Sequence, residues 1–484
     1  MFTMRRTQYG AAGSKRGKVH IGRTLRWLTI LLALTLGLSL VTACQSEDTQ
    51  PTETTSEQET ETTVDETLDN DSTDETTADT GDPSETEETS EDPGETDETD
   101  ETDATEPVND ERPRPSLPDD PVVNEFFGPL PEPSQIAAFE RNELRAIYIG
   151  AAANVEEALE IARKTEVNAV VLDLKESDGI KYHSQVPLAV ETGLVKPAFN
   201  ITEVIERFHA EDVKVIGRIV CFKNPLLAEA RPDLAIQDAN GNKLYFSNEG
   251  GKPFVNPYNQ AVWQLNIDVA VEAIELGVDE IQYDYVRFPT GGTTTGAKPY
   301  FGEEGAIPNR VQTINRFLQV SSVYIQDELG IPLGADVFGI IITSELDGNN
   351  LGQDWQTVGL AGIDSVSPMI YPSHYANNST SHYSGNGRGT TINGVHFEKP
   401  DLHPYDVMYN AVVAGREATE QPGYAVNRPY LQAFTASYLP QGYYIEYGPD
   451  EIRAQIHAIY DAGYKEWICW NAQARYPISA FDPD

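Results

Sequence analysis

The sequence predicts an α/β domain folded as a (β/α)8 barrel, and three observations lead there. From residue 136 to 484, eight short β-rich runs alternate with stretches of helical periodicity. Long insertions follow predicted strands, whereas the connections back into strands are short, so elaboration sits on one face. Three predicted strands carry an Asp near the C-terminal end, where barrels of this kind build their sites.

The strand candidates are 146–150, 169–175, 215–222, 280–286, 333–338, 366–371, 429–435 and 466–470. Helices are expected at 155–165, 201–211, 261–276, 310–329, 405–420 and 449–462, with a weak fifth helix near 352–360. The insertions are 176–200, 223–260, 287–308 and 372–404, while the returns at 166–168, 212–214 and 277–279 are three residues each. A doubly wound sheet is the alternative. It requires a Gly-rich phosphate loop after the first strand, and Gly150-Ala151-Ala152-Ala153 matches one poorly.

The barrel is preceded by two segments of different character. Residues 1–43 read as a lipoprotein signal peptide: seven Lys/Arg and no acids lie before or beside a 15-residue apolar run, Trp27 to Val41, too short to span a bilayer comfortably. The run ends in Val41-Thr42-Ala43-Cys44, which resembles a lipobox and makes Cys44 the expected lipidation site. An uncleaved signal anchor is the alternative, and either reading places the rest of the chain outside the cytoplasm. Residues 44–135 read as a disordered linker, Thr/Glu/Asp-rich and then Pro-rich, with Pro107 to Pro133 as a stiffer spacer. Residues 46–111 hold 28 acids and no Lys/Arg, which leaves about half of the formal net charge of -43, namely -22, for the remainder of the chain from Arg112. Such a surface argues against nucleic acid or anionic lipid as the main partner. Apart from Cys44 only Cys221 and Cys469 occur, in non-adjacent strands, and they read as small buried hydrophobes, not a disulfide.

The chemistry is concentrated in the fourth strand, Asp279-Glu-Ile-Gln-Tyr-Asp-Tyr-Val-Arg-Phe-Pro289. Period two puts Glu280, Gln282 and Asp284 on one face and Ile281, Tyr283 and Tyr285 on the other. A barrel interior opening onto a pocket tolerates the polar face. Strand two adds Asp173, with Lys175 expected on the same face, and strand five adds Asp336. Asp284 and Asp336 on adjacent strands are the expected catalytic pair, because glycosidic bond hydrolysis needs one carboxyl to protonate the leaving oxygen and another to attack carbon or activate water. Arg218 in strand three could pair with Asp284 or lie in an ion pair on the outer face. Glu345, after strand five, is an alternative acid. Tyr182, Tyr285, Phe288, Tyr371, Tyr375, Tyr438 and Trp470 crowd the expected rim, where some would stack on sugar rings and others would be core. His374, His382, His396 and His403 match no zinc spacing and read as loop histidines, with His374 also a substrate-binding candidate.

Several motifs together resemble the bacterial "putative glycoside hydrolase" family: Asp173-Leu-Lys175 with Gly179 and Tyr182, Arg218-Ile-Val-Cys-Phe-Lys-Asn-Pro225, the 279–289 segment, Ser367-Pro-Met-Ile-Tyr371-Pro-Ser-His374-Tyr375 and Pro429-Tyr-Leu-Gln432. The resemblance covers residues 143 to 475. It implies a TIM barrel related to α-amylase and melibiase-like glycosidases. In those relatives an Asp ending strand four is the nucleophile, which falls on Asp284, and the acid comes from strand five or six. Asp336 is the nearest match, although the Glu of amylase-type enzymes is absent there. Supporting or substrate-binding roles fall to Asp173, Lys175, Arg218, Gln282, Arg287, Glu345, Tyr371, His374, Gln432 and Trp470.

The leading expectation is an extracytoplasmic, lipid-anchored, monomeric glycoside hydrolase acting on a polysaccharide or oligosaccharide, with no cofactor, metal or nucleic acid. A non-catalytic glycan-binding barrel is the alternative, and a surface protein dominated by its acidic stalk is a third.

Overall fold

The computed structural model describes residues 112–483 apart from 153, 382 and 383. The signal peptide, Cys44, the acidic stretch and His382 lie outside the described residues. Eight parallel strands close into a barrel: β1 (Arg145–Gly150), β2 (Ala169–Glu176), β3 (Lys214–Val220), β4 (Glu280–Asp284), β5 (Leu333–Phe338), β6 (Ser365–Met369), β7 (Tyr430–Gln432) and β8 (Trp467–Trp470). Each pairs with the next, and β8 pairs with β1, which excludes the open doubly wound sheet. A helix follows each of the first seven strands: α1 (Val155–Ala162), α2 (Ile201–His209), α3 (Gln260–Glu275), α4 (Arg310–Ser322), α5 (Glu345–Leu351), α6 (Pro404–Ala414) and α7 (Pro449–Asp461).

The fifth helix forms earlier than expected. The Ser344 hydroxyl accepts from the Asp347 N–H and caps its start, and Gly352 ends it in the left-handed region at φ 79°. Two other devices escaped the sequence reading. Asn393-Gly394, at φ 50° and 78°, turns a small hairpin, Thr390–Ile392 against Val395–Phe397, in the loop after β6. Strand β4 stops at Asp284, not Val286, because Tyr285 is in the left-handed region at φ 49°.

Packing follows the alternation. Ile281 and Tyr283 face the outer core between strands and helices, where Tyr283 stacks on Phe317 of α4 at 5.2 Å. The inner cluster is small: Ala146, Ala169, Val171, Ile216, Tyr430 and Ile468 fill the barrel's waist. Its N-terminal end is closed by paired charges. The fully buried Arg428 donates to Glu280 at 2.5 Å and to Glu466 at 2.8 Å, and Arg141 reaches Glu466 at 2.6 Å.

The described part of the expected spacer is not a free linker. From Arg112 it forms a strap against the barrel, with a short helix at Pro121–Phe127. Arg112 is buried and donates to the carbonyls of Gln326 (3.0 Å) and Asp327 (3.2 Å), groups that a helix end leaves orphaned. Phe127 packs on Trp263 at 4.6 Å. The strap passes so close to Gly330 and Gly362 that an added Cβ would lie 1.9 Å from the Ala138 carbonyl oxygen and 2.7 Å from Pro115. Proline in this segment therefore stiffens a docked, irregular strap, which composition alone reads as a spacer.

Candidate active site

The C-terminal ends of the strands open into a cavity of about 1480 Å³, larger than the roughly 300–1,000 Å³ that suits most small ligands. Asp284 and Asp336 both line it, with Arg218, Arg287, Tyr371, His374, Tyr430, Phe434, Tyr438 and Trp470 among their neighbours.

Asp284 ends β4 with its carboxyl oxygens occupied by donors. Oδ2 accepts from Arg218 Nε at 3.0 Å and Nη2 at 2.6 Å, and Oδ1 accepts from the Tyr285 N–H at 2.5 Å. The left-handed turn at Tyr285 delivers that N–H, and backbone strain of this sort, of order 1–2 kcal/mol, is a feature of functional sites. Arg218 itself is a hub. It donates to Asp173 at 2.5 Å and to Glu176, and these three carboxylates hold its guanidinium charged against the cost of burial. Asp173 also accepts from the Tyr148 hydroxyl at 2.5 Å.

Asp336 sits in the opposite environment. It is 1% exposed, and its Oδ1 has no hydrogen-bond partner in the protein. Burial, then the charge of Asp284, push its carboxyl well above the usual range, with Arg218 and the Tyr430 hydroxyl pulling the other way. The Gln353 amide, which donates to the Asp336 carbonyl at 3.2 Å and to the Val286 carbonyl at 3.3 Å, ties β5 to the end of β4 from behind.

The aromatic wall comes from β6, β7 and β8. Trp470 lies 5.9 Å from Tyr371 and 6.0 Å from Tyr148, and Phe434 meets Tyr371 and Trp470 edge-on at 5.7 and 5.3 Å. His374 packs edge-on to Tyr371 at 4.9 Å. Its ring is exposed on the cavity side, and desolvation there acts to lower its pKa. Arg287 is sandwiched against Tyr285 and Phe338, at 4.8 and 4.9 Å, and donates to Glu249 at 2.9 Å. Burial alone would raise Glu249, but Arg287 and the Thr290 donors outweigh it and set it at about 2.

Several expected residues lie elsewhere. Lys175 does not share a face with Asp173, because the β2–β3 register shifts between them and breaks the period of two. Its ammonium turns to the Val220 carbonyl, fully buried, where desolvation lowers it to about 8. Gly217 accommodates the bulge: a Cβ there would lie 2.4 Å from Leu174 Cδ1. Glu345 is exposed at the first turn of α5 and does not line the cavity. Gln432 is buried behind the wall, accepting from the Ser373 N–H at 3.1 Å and donating to Asp401 at 2.9 Å. Gln282 lies beneath the site and holds Tyr430. Tyr182 and Phe288 belong to the core.

Tyr148, Glu176, Glu249, Tyr430 and Phe434 were missed. Tyr430 lies in the same Pro429–Gln432 motif that pointed to Gln432, and Glu176 replaces Lys175 once the bulge is counted. Glu249 and Phe434 lie beyond regular strands and have no sequence signal. Among the described residues no group of three or more His, Cys, Asp or Glu side chains is arranged to hold a metal ion.

A closed barrel with two carboxyls of contrasting surroundings at adjacent strand ends, beside an aromatic wall, defines the class of glycoside hydrolase barrels. The chain belongs to the family described as "Putative glycosyl hydrolase domain", whose model matches residues 144–476. A hypothetical protein from Ruminiclostridium thermocellum is 35% identical over 40% of this chain and 99% of that one, with a TM-score of 0.36. The glycoside hydrolase domain of PgaB (BpsB) from Bordetella bronchiseptica is 10% identical, over 69% of this chain and 95% of that one, with a TM-score of 0.45. TtGalA, an α-galactosidase from Thermus thermophilus, is 12% identical over 72% of this chain and 61% of its own, with a TM-score of 0.41. No curated protein matches the sequence.

Proposed function

We propose that the protein is an extracytoplasmic enzyme that cleaves glycosidic bonds of a polysaccharide with two carboxyls, Asp284 as nucleophile or base and Asp336 as general acid. The observation that carries this reading is the contrast between them. Asp284 faces a guanidinium and a backbone N–H, whereas burial and the neighbouring charge keep the proton on Asp336. In the reaction the Asp336 proton passes to the leaving glycosidic oxygen as its bond to the anomeric carbon breaks, and Asp284 meets the developing positive charge.

Tyr283 pairs with Ala335, so Asp284 and Asp336 follow as neighbours on the same face. The cavity's size and aromatic wall suit several sugar rings. The basic leader, the apolar run and Val41-Thr42-Ala43-Cys44 support lipid attachment at Cys44 outside the cytoplasm, and labelling with a fatty acid that is lost in Cys44→Ala would test it.

The deciding experiment incubates the protein and its Asp284→Asn variant with plant, storage and bacterial wall glycans. New oligosaccharides from the wild type only, with the first-formed anomer read by proton NMR, would establish the activity and its stereochemistry. Glycan binding by both proteins without cleavage would instead identify a binding module.

A further inference from the structure

Strands β4 and β5 pair as far as Tyr283 and Ala335, and each carries its carboxyl at the next position. Past that point β4 leaves the strand conformation at Tyr285, while β5 runs on beside β6 to Phe338. The ladder between the two carboxyl-bearing strands therefore stops where the cavity begins. The backbone groups freed on that side need other partners.

One side chain supplies them. Gln353, 1% exposed, follows the Gly352 cap of α5. Its Nε2 donates to the Asp336 carbonyl at 3.2 Å and to the Val286 carbonyl at 3.3 Å, and its Oε1 accepts from the Phe338 N–H at 3.1 Å. Carbonyls only accept and a backbone N–H only donates, so these three partners admit one orientation of the amide. The clip is anchored from its own side as well. The Phe288 N–H donates to the Leu351 carbonyl at 2.8 Å, and the Gln353 N–H donates to the Gly348 carbonyl at 2.9 Å. A Cβ on Gly352 would lie 2.9 Å from the Arg310 carbonyl oxygen and 3.1 Å from Phe288 Cδ2, so the end of α5 has little room to shift.

We propose that Gln353 is a positioning residue that sets the spacing and mutual angle of Asp284 and Asp336 by serving as the missing rung between β4 and β5. The inference rests on the reading of Asp284 and Asp336 as the catalytic pair. All three partners of the amide are backbone groups, one on Asp336 itself and one two residues past Asp284, so Gln353 acts on the carboxyls through the chain that carries them.

The Asp336 proton reports the spacing, because the nearby charge of Asp284 strengthens its hold. The other charged or titratable groups about Asp336 are Arg218, Cys221, Tyr371, Tyr430 and Arg428, and all remain when Gln353 is changed. The test titrates the carboxyl C=O infrared absorption of Asp336 in the full chain without substrate, assigned by its loss in Asp336→Asn. Gln353→Met keeps the volume and removes all three bonds. With the strand ends free to part, the midpoint should fall by at least about half a pH unit, roughly a threefold rise in acidity. In an Asp284→Asn background the same substitution should leave the midpoint in place, since the charge whose distance it alters is gone. A midpoint unchanged or higher in Gln353→Met overturns the proposal, and a proton retained to the alkaline edge of the folded range in both proteins counts as unchanged. So does a fall that keeps more than half its size in Asp284→Asn, which would mean only that water enters. If Gln353→Met fails to fold, Gln353→Asn, whose amide is one methylene short of its partners, is judged by the same pair of titrations.

With a cleaved glycan in hand, Gln353→Met should lower kcat by at least about tenfold, since a displacement of order 1 Å costs about a hundredfold. KM should stay within about twofold, because the aromatic wall stands on β6, β7 and β8. A loss confined to KM would assign Gln353 to substrate binding and overturn the proposal. The infrared titration requires no turnover, so a protein that cleaves nothing would sink the glycosidase reading while the clip is still judged on its own.

Discussion

Arg218→Lys isolates what the guanidinium contributes beyond its charge. Arg218 spreads its donors over three carboxylates: Nε and Nη2 on Asp284, and Nη1 on Asp173 and Glu176. A lysine ammonium is a point charge with no fork, and at β3 it can satisfy one side of this arrangement. Two charge-assisted bonds would be lost, each worth about 1.5–3 kcal/mol, so the combined cost is roughly 3–6 kcal/mol. It falls partly on stability and partly on the placement of Asp284. A fall of about 3 kcal/mol in transition-state binding is more than a hundredfold in kcat/KM. The stability share appears as a lower Tm, at roughly 2 °C or less per kcal/mol in a domain of this size. The assay is kcat/KM on a cleaved glycan beside a thermal melt, with Arg218→Met as the charge-free reference. Arg218→Met should be worse than Arg218→Lys, since it leaves three neighbouring carboxylates without their shared counter-charge. Activity within threefold of wild type in Arg218→Lys, at unchanged Tm, would refute the hub.

Three further outcomes follow from the same structure. Asp336→Asn should impair glycosides with poor leaving groups far more than activated aryl glycosides, and an equal loss on both would remove Asp336 as the acid. Gly330→Ala forces a Cβ into the Ala138 carbonyl at a left-handed position (φ 70°); a loss of at least about 1–2 kcal/mol in chemical denaturation is expected, with faster proteolysis of the strap, and a neutral result would show that the strap is not docked. Burial raises Asp364 from 3.8 to about 7 against the opposing pull of Arg141. The folded state therefore binds this proton more tightly than the unfolded chain, so the contribution is present at low pH and is lost as pH rises from about 4 to 7, at up to about 1.4 kcal/mol per pH unit. Asp364→Asn should flatten that slope in denaturation curves across the window, and an unchanged slope would assign it to another group.

The barrel was legible because its signals are local and repeated. Eight apolar runs with polar breaks, and elaboration confined to one side of them, survive errors of two or three residues at each end. Asp173, Asp284 and Asp336 were legible for the same reason, since period two carries side chains to one face. The reading failed where that period fails. The bulge at Leu174 turned Lys175 away and brought Glu176 to Arg218, and its only trace in the sequence is Gly217 in the neighbouring strand. The positive φ of Tyr285 ended β4 early, and tyrosine gives no hint of it. The strap failed for another reason: proline-rich composition reports stiffness, and docking depends on partners such as Gly330 and Gly362, which lie 192 and 247 residues along the chain from Ala138 and Pro115.

The barrel interior holds two clusters of buried charge, and their difference separates structure from chemistry. At the base, Arg141 and Arg428 meet Glu280, Glu466 and Asp364, and the sum is neutral below about pH 7, where Asp364 carries its proton. Such a cluster fixes strand register and lacks the cavity's opening. At the mouth, the single guanidinium of Arg218 meets Asp173, Glu176 and Asp284, with Asp336 beside them. Even with Asp336 protonated, and with Arg287 and Lys223 set against Glu249 on the other side of the mouth, the balance next to the cavity stays negative. A folding argument alone gives no reason to leave that excess in place, because a second Arg or an amide would remove it. An oxocarbenium-like transition state supplies the reason: it places positive charge on the sugar ring beside Asp284, and fixed carboxylates in a partly dehydrated site stabilise that charge without reorganising. The imbalance at the mouth is therefore a feature of function, and neutralising it by Glu176→Gln should reduce kcat more than it raises KM, since the resting sugar carries no charge for Glu176 to hold.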